Sequence, residues 1–152
     1  VLVACSVLTW AQARRWHDSV TLFRHALEVT EHNAVAHKNL GAALASQGRY
    51  GEALRHVTES LRIQPEPKEY VSQAWLYMQF GEYGKAAQAC RNSIALSPDE
   101  EKAHFLLGVS HAHLGDHDSA IREYRALHAR GSPYADRLYE YLRNAGMPVP
   151  PS

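Results

Sequence analysis

The sequence of 152 residues contains little of what many small proteins use for stability or chemistry. It has two cysteines, Cys5 and Cys90. Neither belongs to a Cys-x-x-Cys pair, so a disulfide framework and a zinc ribbon are excluded and two separate thiols are predicted. Lysine and arginine number 16, as do aspartate and glutamate. Because the formal net charge is zero, the chain has no general attraction for nucleic acid, and no nucleic-acid partner is predicted.

The sequence also lacks the short motifs that mark common active sites. It has no glycine-rich phosphate loop, nucleophile elbow, His-Glu-x-x-His or paired-carboxylate motif. The best cluster of potential metal ligands lies in "HAHLGDHD" and comprises His111, His113, Asp116, His117 and Asp118. A metal site would also require matched ligand geometry and supporting hydrogen bonds. We therefore interpret these residues as ordinary residues of a helical turn, and predict no enzyme activity, cofactor or metal in this chain.

What the sequence does contain is a repeat of 33 or 34 residues. The segments "SQGRYGEAL", "QFGEYGKAA" and "HLGDHDSAI" align with one another, and their glycines are Gly48, Gly81 and Gly115. A second set of small residues keeps the same spacing: Ala53, Ala86 and Ala120. Several residue types that recur with one period indicate a repeat architecture.

Each repeat has the pattern of two helices joined by a tight turn. In "AVAHKNLGAALASQG" apolar or small residues recur at helical spacing until Gly48, and in "YGEALRHVTESLRIQP" the apolar stripe ends at Pro65. Such a turn makes the two helices antiparallel. Small residues such as Gly41 and Gly108 are expected where two helices approach too closely for a larger side chain.

These repeats resemble the tetratricopeptide repeat (TPR) family, which has a 34-residue period and the pattern W-x2-L-G-x2-Y…A-x3-F…P. The first complete repeat matches at His37, Leu40, Gly41, Leu44, Ala53, Val57 and Pro65. The third repeat matches at His104, Leu107, Gly108, His111, Ala120 and Tyr124, and the second departs most, with one residue missing around "PEPKEY". The resemblance covers roughly residues 16 to 130 and implies an all-α solenoid of antiparallel helix pairs.

The repeat register divides the chain into about three repeats, a partial leading repeat and a C-terminal capping helix. The predicted segments are the leading repeat at 1–33, the three repeats at 34–66, 67–100 and 101–131, the capping helix at 132–146, and a proline-rich tail at 147–152. Residues 1–13 are also a candidate for the end of a transmembrane helix. A solenoid needs a terminal helix with one polar face to close its last repeat, which is the role predicted for 132–146.

The resemblance implies a function as a protein-interaction scaffold that holds a protein or peptide segment in a concave groove lined by the first helix of each repeat. The predicted groove residues are Lys38, Asn39, Ala42, Ser46, Lys68, Val71, Ser72, Trp75, Met78, Gln79, Lys102, Phe105, Val109 and His113. Exposed aromatic residues are typical of binding hot spots, although Trp75 and Phe105 could equally pack between helices.

Some members of the family hold the C-terminal carboxylate of a peptide with a set of lysines and asparagines. Lys38 and Asn39 lie near such positions in this chain, but Ala42 stands where a second asparagine would be required. A complete carboxylate clamp is therefore not predicted. A mixed polar and apolar groove for an extended or helical segment is the preferred hypothesis.

Two other functions remain open at this point. Trp16, Asp18, Ser19, Leu22 and Phe23 belong to a stretch that resembles the segment after the last transmembrane helix of bacterial multi-spanning membrane proteins with TPR tails. Some of those proteins resemble O-mannosylating glycosyltransferases, which implies that this chain recruits the acceptor for chemistry located in missing N-terminal residues. Alternatively, the ends of the solenoid could stack on other copies and build a filament.

The first sixteen residues, "VLVACSVLTWAQARRW", are a candidate membrane attachment. Thirteen uncharged residues open the chain, too few to span a bilayer, which needs about 20. Trp10, Arg14, Arg15 and Trp16 have the composition of a membrane interface. We predict one helix that leaves a membrane at its N-terminal end and begins the solenoid at the other. The two arginines favour the cytoplasmic side, whereas the family resemblance favours the extracytoplasmic side, which we prefer.

Overall fold

The computed structural model describes residues 19–30 and 32–147, and within these ranges the chain forms helices joined by short turns. Helix α1 covers residues 19–29. The helices that follow are α2 (Ala34–Ser46), α3 (Tyr50–Ile63), α4 (Pro67–Gln79), α5 (Tyr83–Leu96), α6 (Glu101–His113), α7 (His117–Ala129) and α8 (Pro133–Asn144). The predicted all-α class is confirmed. The membrane attachment predicted for residues 1–16 lies outside the described residues.

The chain divides between Gln64 and Pro65 into an N-terminal and a C-terminal compact unit. In the N-terminal unit α2 packs along α3. In the C-terminal unit α4 packs on α5, α6 packs on α7, and α8 contacts both α6 and α7. None of the described helices is both long enough and apolar enough to cross a bilayer.

The recurring glycines close the turns between the paired helices. Gly48, Gly81 and Gly115 have φ angles of 74°, 72° and 76°, in the left-handed region where a side chain would be strained. In the second of these turns the N–H of Glu82 donates to the carbonyl oxygen of Tyr77 at 3.0 Å, the hydrogen bond of a Schellman motif. The period of the glycines in the sequence therefore reflects a backbone conformation that recurs with the turns.

Glycine is required at positions 41 and 108 for a different reason, because at each of them another helix leaves no room for a side chain. A Cβ atom on Gly41 would lie 2.9 Å from Val57 Cγ2 and 3.3 Å from the carbonyl oxygen of Ala53. A Cβ atom on Gly108 would lie 2.6 Å from Leu138 Cδ2. The close helix approach expected from the sequence is confirmed at both positions.

Small side chains also fill the core of the C-terminal unit. Ala86 and Ala120 are completely buried, and Cys90 packs beside Ala86 with no exposed surface. Cys90 is a free thiol, and its pKa is raised to about 12, mainly because burial disfavours the thiolate. We conclude that this cysteine is a small apolar core residue, as the sequence indicated.

Met147 was assigned to the tail by the sequence, but its side chain is buried in the core with Leu138 and Leu142. The reason is the end of α8, where Gly146 has a φ of 74° and the N–H of Met147 donates to the carbonyl oxygen of Leu142 at 3.0 Å. This Schellman motif turns the chain back over the last turn of the helix and brings an apolar residue into contact with it.

Candidate binding face of helices α4, α6 and α8

The first helices of successive pairs are neighbours in the C-terminal unit, since α4 contacts α6 and α6 contacts α8. On α4, Lys68, Ser72 and Trp75 recur at the i, i+4, i+7 spacing of one helix face and are exposed. We define the α4/α6/α8 face by the side chains of Lys68, Ser72, Trp75, Lys102, Phe105, Tyr134 and Arg137.

A cavity of about 410 Å³ lies on this face, and Lys68, Ser72, Lys102 and Tyr134 are among the residues that line it. Neither lysine forms an ion pair with any residue that the structure describes. The lining therefore contains two lysines that form no ion pair, together with three acidic residues, Asp99, Glu100 and Glu101.

Two of the acidic residues at the edge of the cavity have partners of their own. Asp99 Oδ1 lies 3.7 Å from Arg130 Nη1, and the hydroxyl of Ser132 donates to Glu101 Oε2 at 2.8 Å. Asp99 and Glu101 thus contact residues of the turn between α7 and α8, while Glu100 contributes a further carboxylate to the lining. The two lysines remain available to a negatively charged ligand.

Beside the cavity an arginine lies over two aromatic rings. The ring centroids of Phe105 and Tyr134 are 5.5 Å apart. The Arg137 Cζ atom lies 5.1 Å from the centroid of Phe105 and 5.2 Å from that of Tyr134. Such cation–π contacts hold the guanidinium plane in place while its N–H edge remains in solvent. Among the described residues Arg137 has no carboxylate partner, so its donors are ordered without being used.

Trp75 and Phe105 differ in how far their side chains are exposed. Trp75 is 37% exposed, and its carbonyl oxygen accepts a hydrogen bond from the side chain of Gln79. Phe105 is half-buried and packs against the core of the C-terminal unit. The face therefore combines a broad accessible indole with a ring that is anchored in the core.

Val71 and Val109, two of the predicted groove residues, are only 4% and 5% exposed. Val71 belongs to the core cluster that contains Ala74 and Ala86. Val109 belongs to the cluster that contains Leu138. Both valines thus pack in the core beneath the face, and Val71 also contributes to the lining of the cavity.

The remaining predicted residues of this unit are Met78, Gln79 and His113. Met78 is half-buried and packs against the core, and Gln79 is exposed. The imidazole of His113 stacks on the ring of Tyr83 with centroids 3.8 Å apart, and its Nε2 atom lies 2.6 Å from the hydroxyl oxygen of Tyr141. His113 therefore joins α6 to α5 and α8, although its side chain remains partly accessible.

In the N-terminal unit the predicted groove residues lie along α2. Lys38 and Asn39 are half-buried, whereas Ala42 and Ser46 are exposed. The hydroxyl of Ser46 donates to the carbonyl oxygen of Ala43 at 2.7 Å. A cavity near the start of α2 includes none of these four residues in its lining.

The histidine-rich turn between α6 and α7 has a structural role. His111 Nδ1 lies 3.2 Å from Asp116 Oδ2, and the backbone N–H of Ser119 donates to Asp116 Oδ1 at 3.1 Å. Hydrogen bonds from Ser119 lower the pKa of Asp116, which caps the start of α7. Within the described ranges, no three histidine, cysteine, aspartate or glutamate side chains form a group that could hold a metal ion.

Tyr134 and Arg137 belong to the face but were absent from the predicted groove. Helix α8 corresponds to the predicted capping helix, whereas the predicted groove residues lie on the first helices of the three repeats. One signal was available: Tyr134, Arg137 and Tyr141 recur at helical spacing beside the apolar stripe of α8.

Comparison with known proteins assigns the repeats. Models described as tetratricopeptide repeat match residues 34–67 and 71–136, about two thirds of the chain. Protein O-mannosyl-transferase Tmtc2 of Drosophila melanogaster is 37% identical over 65 residues, which are 43% of this chain and 7% of that protein. The Hsp70-Hsp90 organizing protein of Triticum aestivum is 30% identical over 90 residues, 59% of this chain and 16% of that protein. The chain thus spans less than a fifth of the length of either relative.

Among solved structures, the first TPR of Spaghetti (RPAP3), bound to the HSP90 peptide SRMEEVD, has a TM-score of 0.68 and 23% sequence identity. The match covers 78% of this chain and 94% of that one. At this level of identity the likeness establishes the shared fold of helix pairs.

Proposed function

The chain belongs to the tetratricopeptide repeat family, and from this we propose that it is a protein-interaction module that holds a segment of a partner protein on the α4/α6/α8 face. The observation that carries the proposal is the placement of Arg137 over Phe105 and Tyr134, beside the cavity that Lys68 and Lys102 line. Ordered donors next to exposed aromatic surface are a common composition of binding hot spots.

The charges of the face favour an acidic partner segment. Lys68, Lys102 and Arg137 have no ion pair with a described residue. A carboxylate on the partner would meet the Arg137 guanidinium in the two-pronged geometry that arginine prefers. An apolar side chain of the same segment would cover part of the exposed indole of Trp75. The peptide bound by the Spaghetti TPR, SRMEEVD, combines acidic and apolar residues in this way.

The proposal is tested with fluorescent peptides of seven residues, the acidic SRMEEVD and a version in which lysines replace both glutamates. We expect the acidic peptide to bind more tightly. The double substitution Trp75→Ala and Arg137→Gln should weaken its binding about tenfold or more. Arg125→Gln serves as the matched control, because Arg125 is an exposed arginine of α7 that does not belong to the face.

Fluorescence polarisation gives the Kd values, and circular dichroism checks that each variant is folded. Equal affinity for the two peptides would contradict the acidic preference. An affinity in the double variant equal to that of the Arg125→Gln control would contradict the assignment of the face.

A second candidate function rests on the 37% identity to Protein O-mannosyl-transferase Tmtc2. The chain would then be the part of a larger membrane-attached glycosyltransferase that recruits the acceptor protein, with the module facing the extracytoplasmic side. The coding sequence upstream of Val1 should encode several hydrophobic spans in that case. A protease added outside intact cells should cleave the module, and complete protection would contradict the outward orientation.

A further inference from the structure

A second cavity, of about 400 Å³, lies between α5, α6 and α7. Its lining includes Arg91 from α5, His104 and His111 from α6, and Ser119, Arg122 and Glu123 from α7. No residue of the α4/α6/α8 face contributes to it. An inference about this cavity therefore does not depend on the function proposed above.

The deepest polar pair in this cavity is His104 with Glu123. His104 is 8% exposed, its Nδ1 atom lies 2.6 Å from Glu123 Oε2, and its Nε2 atom lies 3.0 Å from the carbonyl oxygen of Pro98. Both ring nitrogens face acceptors, and the hydrogen bond to Glu123 raises the pKa of His104. The carboxylate of Glu123 is therefore held by the imidazole of His104 within the cavity, and this contact favours the charged form of the histidine.

The two arginines of this cavity have only neutral hydrogen-bond partners. Arg91 Nη2 donates to Gln88 Oε1 at 3.1 Å, and Arg122 Nη2 donates to the hydroxyl oxygen of Ser119 at 2.6 Å. Neither guanidinium forms an ion pair with a described residue. The charge of Arg122 acts on Asp116 through space, but neither guanidinium is in direct contact with a carboxylate of the described residues.

The other acidic group nearby is Asp116, which does not lie in the cavity lining. Its carboxylate is used by His111, at 3.2 Å, and by the N–H of Ser119. The carboxylates of Glu123 and Asp116 thus lie beside histidines, and neither is in direct contact with an arginine. The hydroxyl of Ser119 accepts from Arg122 and is itself hydrogen-bonded to the carboxylate of Asp116, so Ser119 helps to hold Arg122 in place.

We propose that this cavity binds a phosphoryl group, with Arg91 and Arg122 donating to its oxygens. The planar guanidinium fork fits phosphate oxygens in a two-pronged geometry. Ile94 and Leu107 give the cavity apolar surface as well. A bare ion would fill a small fraction of a cavity of about 400 Å³, so the group arrives attached to a larger ligand.

The test follows backbone amide signals of the whole chain by NMR during titration with inorganic phosphate, against sodium chloride at the same ionic strength. Phosphate should shift the signals of residues around Ser119 and Arg122 in a saturable manner. The double variant Arg91→Gln and Arg122→Gln should bind phosphate more weakly, by a factor of about ten at least. Arg125→Gln, an exposed arginine of α7 outside the cavity, should bind as tightly as the unchanged chain.

Two further titrations, with free phosphoserine and with a short peptide carrying phosphoserine, distinguish the sources of the group. Tighter binding of the peptide assigns the site to a phosphorylated protein segment, and equal affinities assign it to a small phosphorylated molecule. Absence of saturable shifts with all three probes overturns the proposal. Equal affinity in the unchanged chain and the double variant also overturns it. Each single variant is titrated as well, so the result does not depend on the double variant being folded.

Discussion

The first and third repeats carry a histidine at the same repeat position, but its partner differs. In the first repeat His37 faces His56, and in the third His104 faces Glu123; the partner lies 19 residues further along the chain in both cases. In the first pair the two Nδ1 atoms are 3.0 Å apart, and in the second an imidazole nitrogen is 2.6 Å from a carboxylate oxygen. The two histidines occupy equivalent positions in their repeats, but one faces a second imidazole and the other faces a carboxylate.

The partner decides the direction in which each histidine titrates. Burial lowers the pKa of both His37 and His56, and a positive charge on His37 lowers that of His56 further. In the third repeat the hydrogen bond that His104 donates to Glu123 raises the pKa of His104 despite its burial. One repeat architecture therefore contains two histidine pairs with opposite responses to pH.

The largest effect is expected from Glu123→His, which gives the third repeat the histidine pair of the first. The substitution removes a hydrogen bond to a charged group and should lower the stability of the C-terminal unit by about 2 kcal/mol. Glu123 raises the pKa of His104 above its unfolded value of about 6.5. The pair's contribution is thus fully present below about pH 6.5 and is lost as the pH rises through the folded pKa.

Urea unfolding at about pH 6 and about pH 8 measures this effect, with Glu123→Gln as the control that keeps an acceptor and removes the charge. The gap between the unchanged chain and Glu123→His should be wider at the lower pH. A variant as stable as the unchanged chain at the lower pH would show that the His104–Glu123 pair contributes nothing.

A smaller loss of stability is expected when alanine replaces Gly41 or Gly108, which occupy equivalent positions in the first and third repeats. Gly41→Ala would place a methyl group 2.9 Å from Val57 Cγ2 and 3.3 Å from a backbone oxygen, neither of which can move easily. We expect a loss of about 1 kcal/mol after the gain in helix propensity is subtracted from the cost of overpacking. Gly108→Ala meets the flexible end of Leu138 and should cost less. Thermal unfolding compares them, and a reversed order would contradict this steric account.

The smallest effect is a displacement of histidine titration midpoints, observed in NMR spectra between about pH 5 and about pH 8. His104 should titrate above about 6.5, and His37 and His56 below it. The N-terminal unit therefore loses stability as the pH falls below about 6.5, because its unfolded chain binds more protons. His56→Glu should move the midpoint of His37 upward. An unchanged midpoint of His37 would show that the facing residue does not determine the direction in which the histidine pKa is shifted.

The helix pairs, turn glycines and close contacts of Gly41 and Gly108 could be predicted because they repeat along the chain. Each of these features follows from a backbone geometry that recurs with the period of the repeat. His37 and His104 were both matched to one family position, but their opposite titration depends on residues of the facing helix that the family pattern leaves unspecified. Arg137 was missed because its role depends on contacts with Phe105 and Tyr134 across two helices. Met147 was missed because a local hydrogen bond reverses the chain after α8.

The buried thiol of Cys90 has a practical consequence for following the motions of this molecule. With a pKa of about 12 and no exposed surface, it is unreactive toward alkylating reagents while the C-terminal unit is closed. In a chain carrying Cys5→Ser, any alkylation would report the transient separation of α4, α5 and α6. The alkylation rate under native conditions then measures how often the helices that support both cavities open. A ligand of either cavity that holds these helices together would slow that reaction, even if its own contacts lie far from the sulfur.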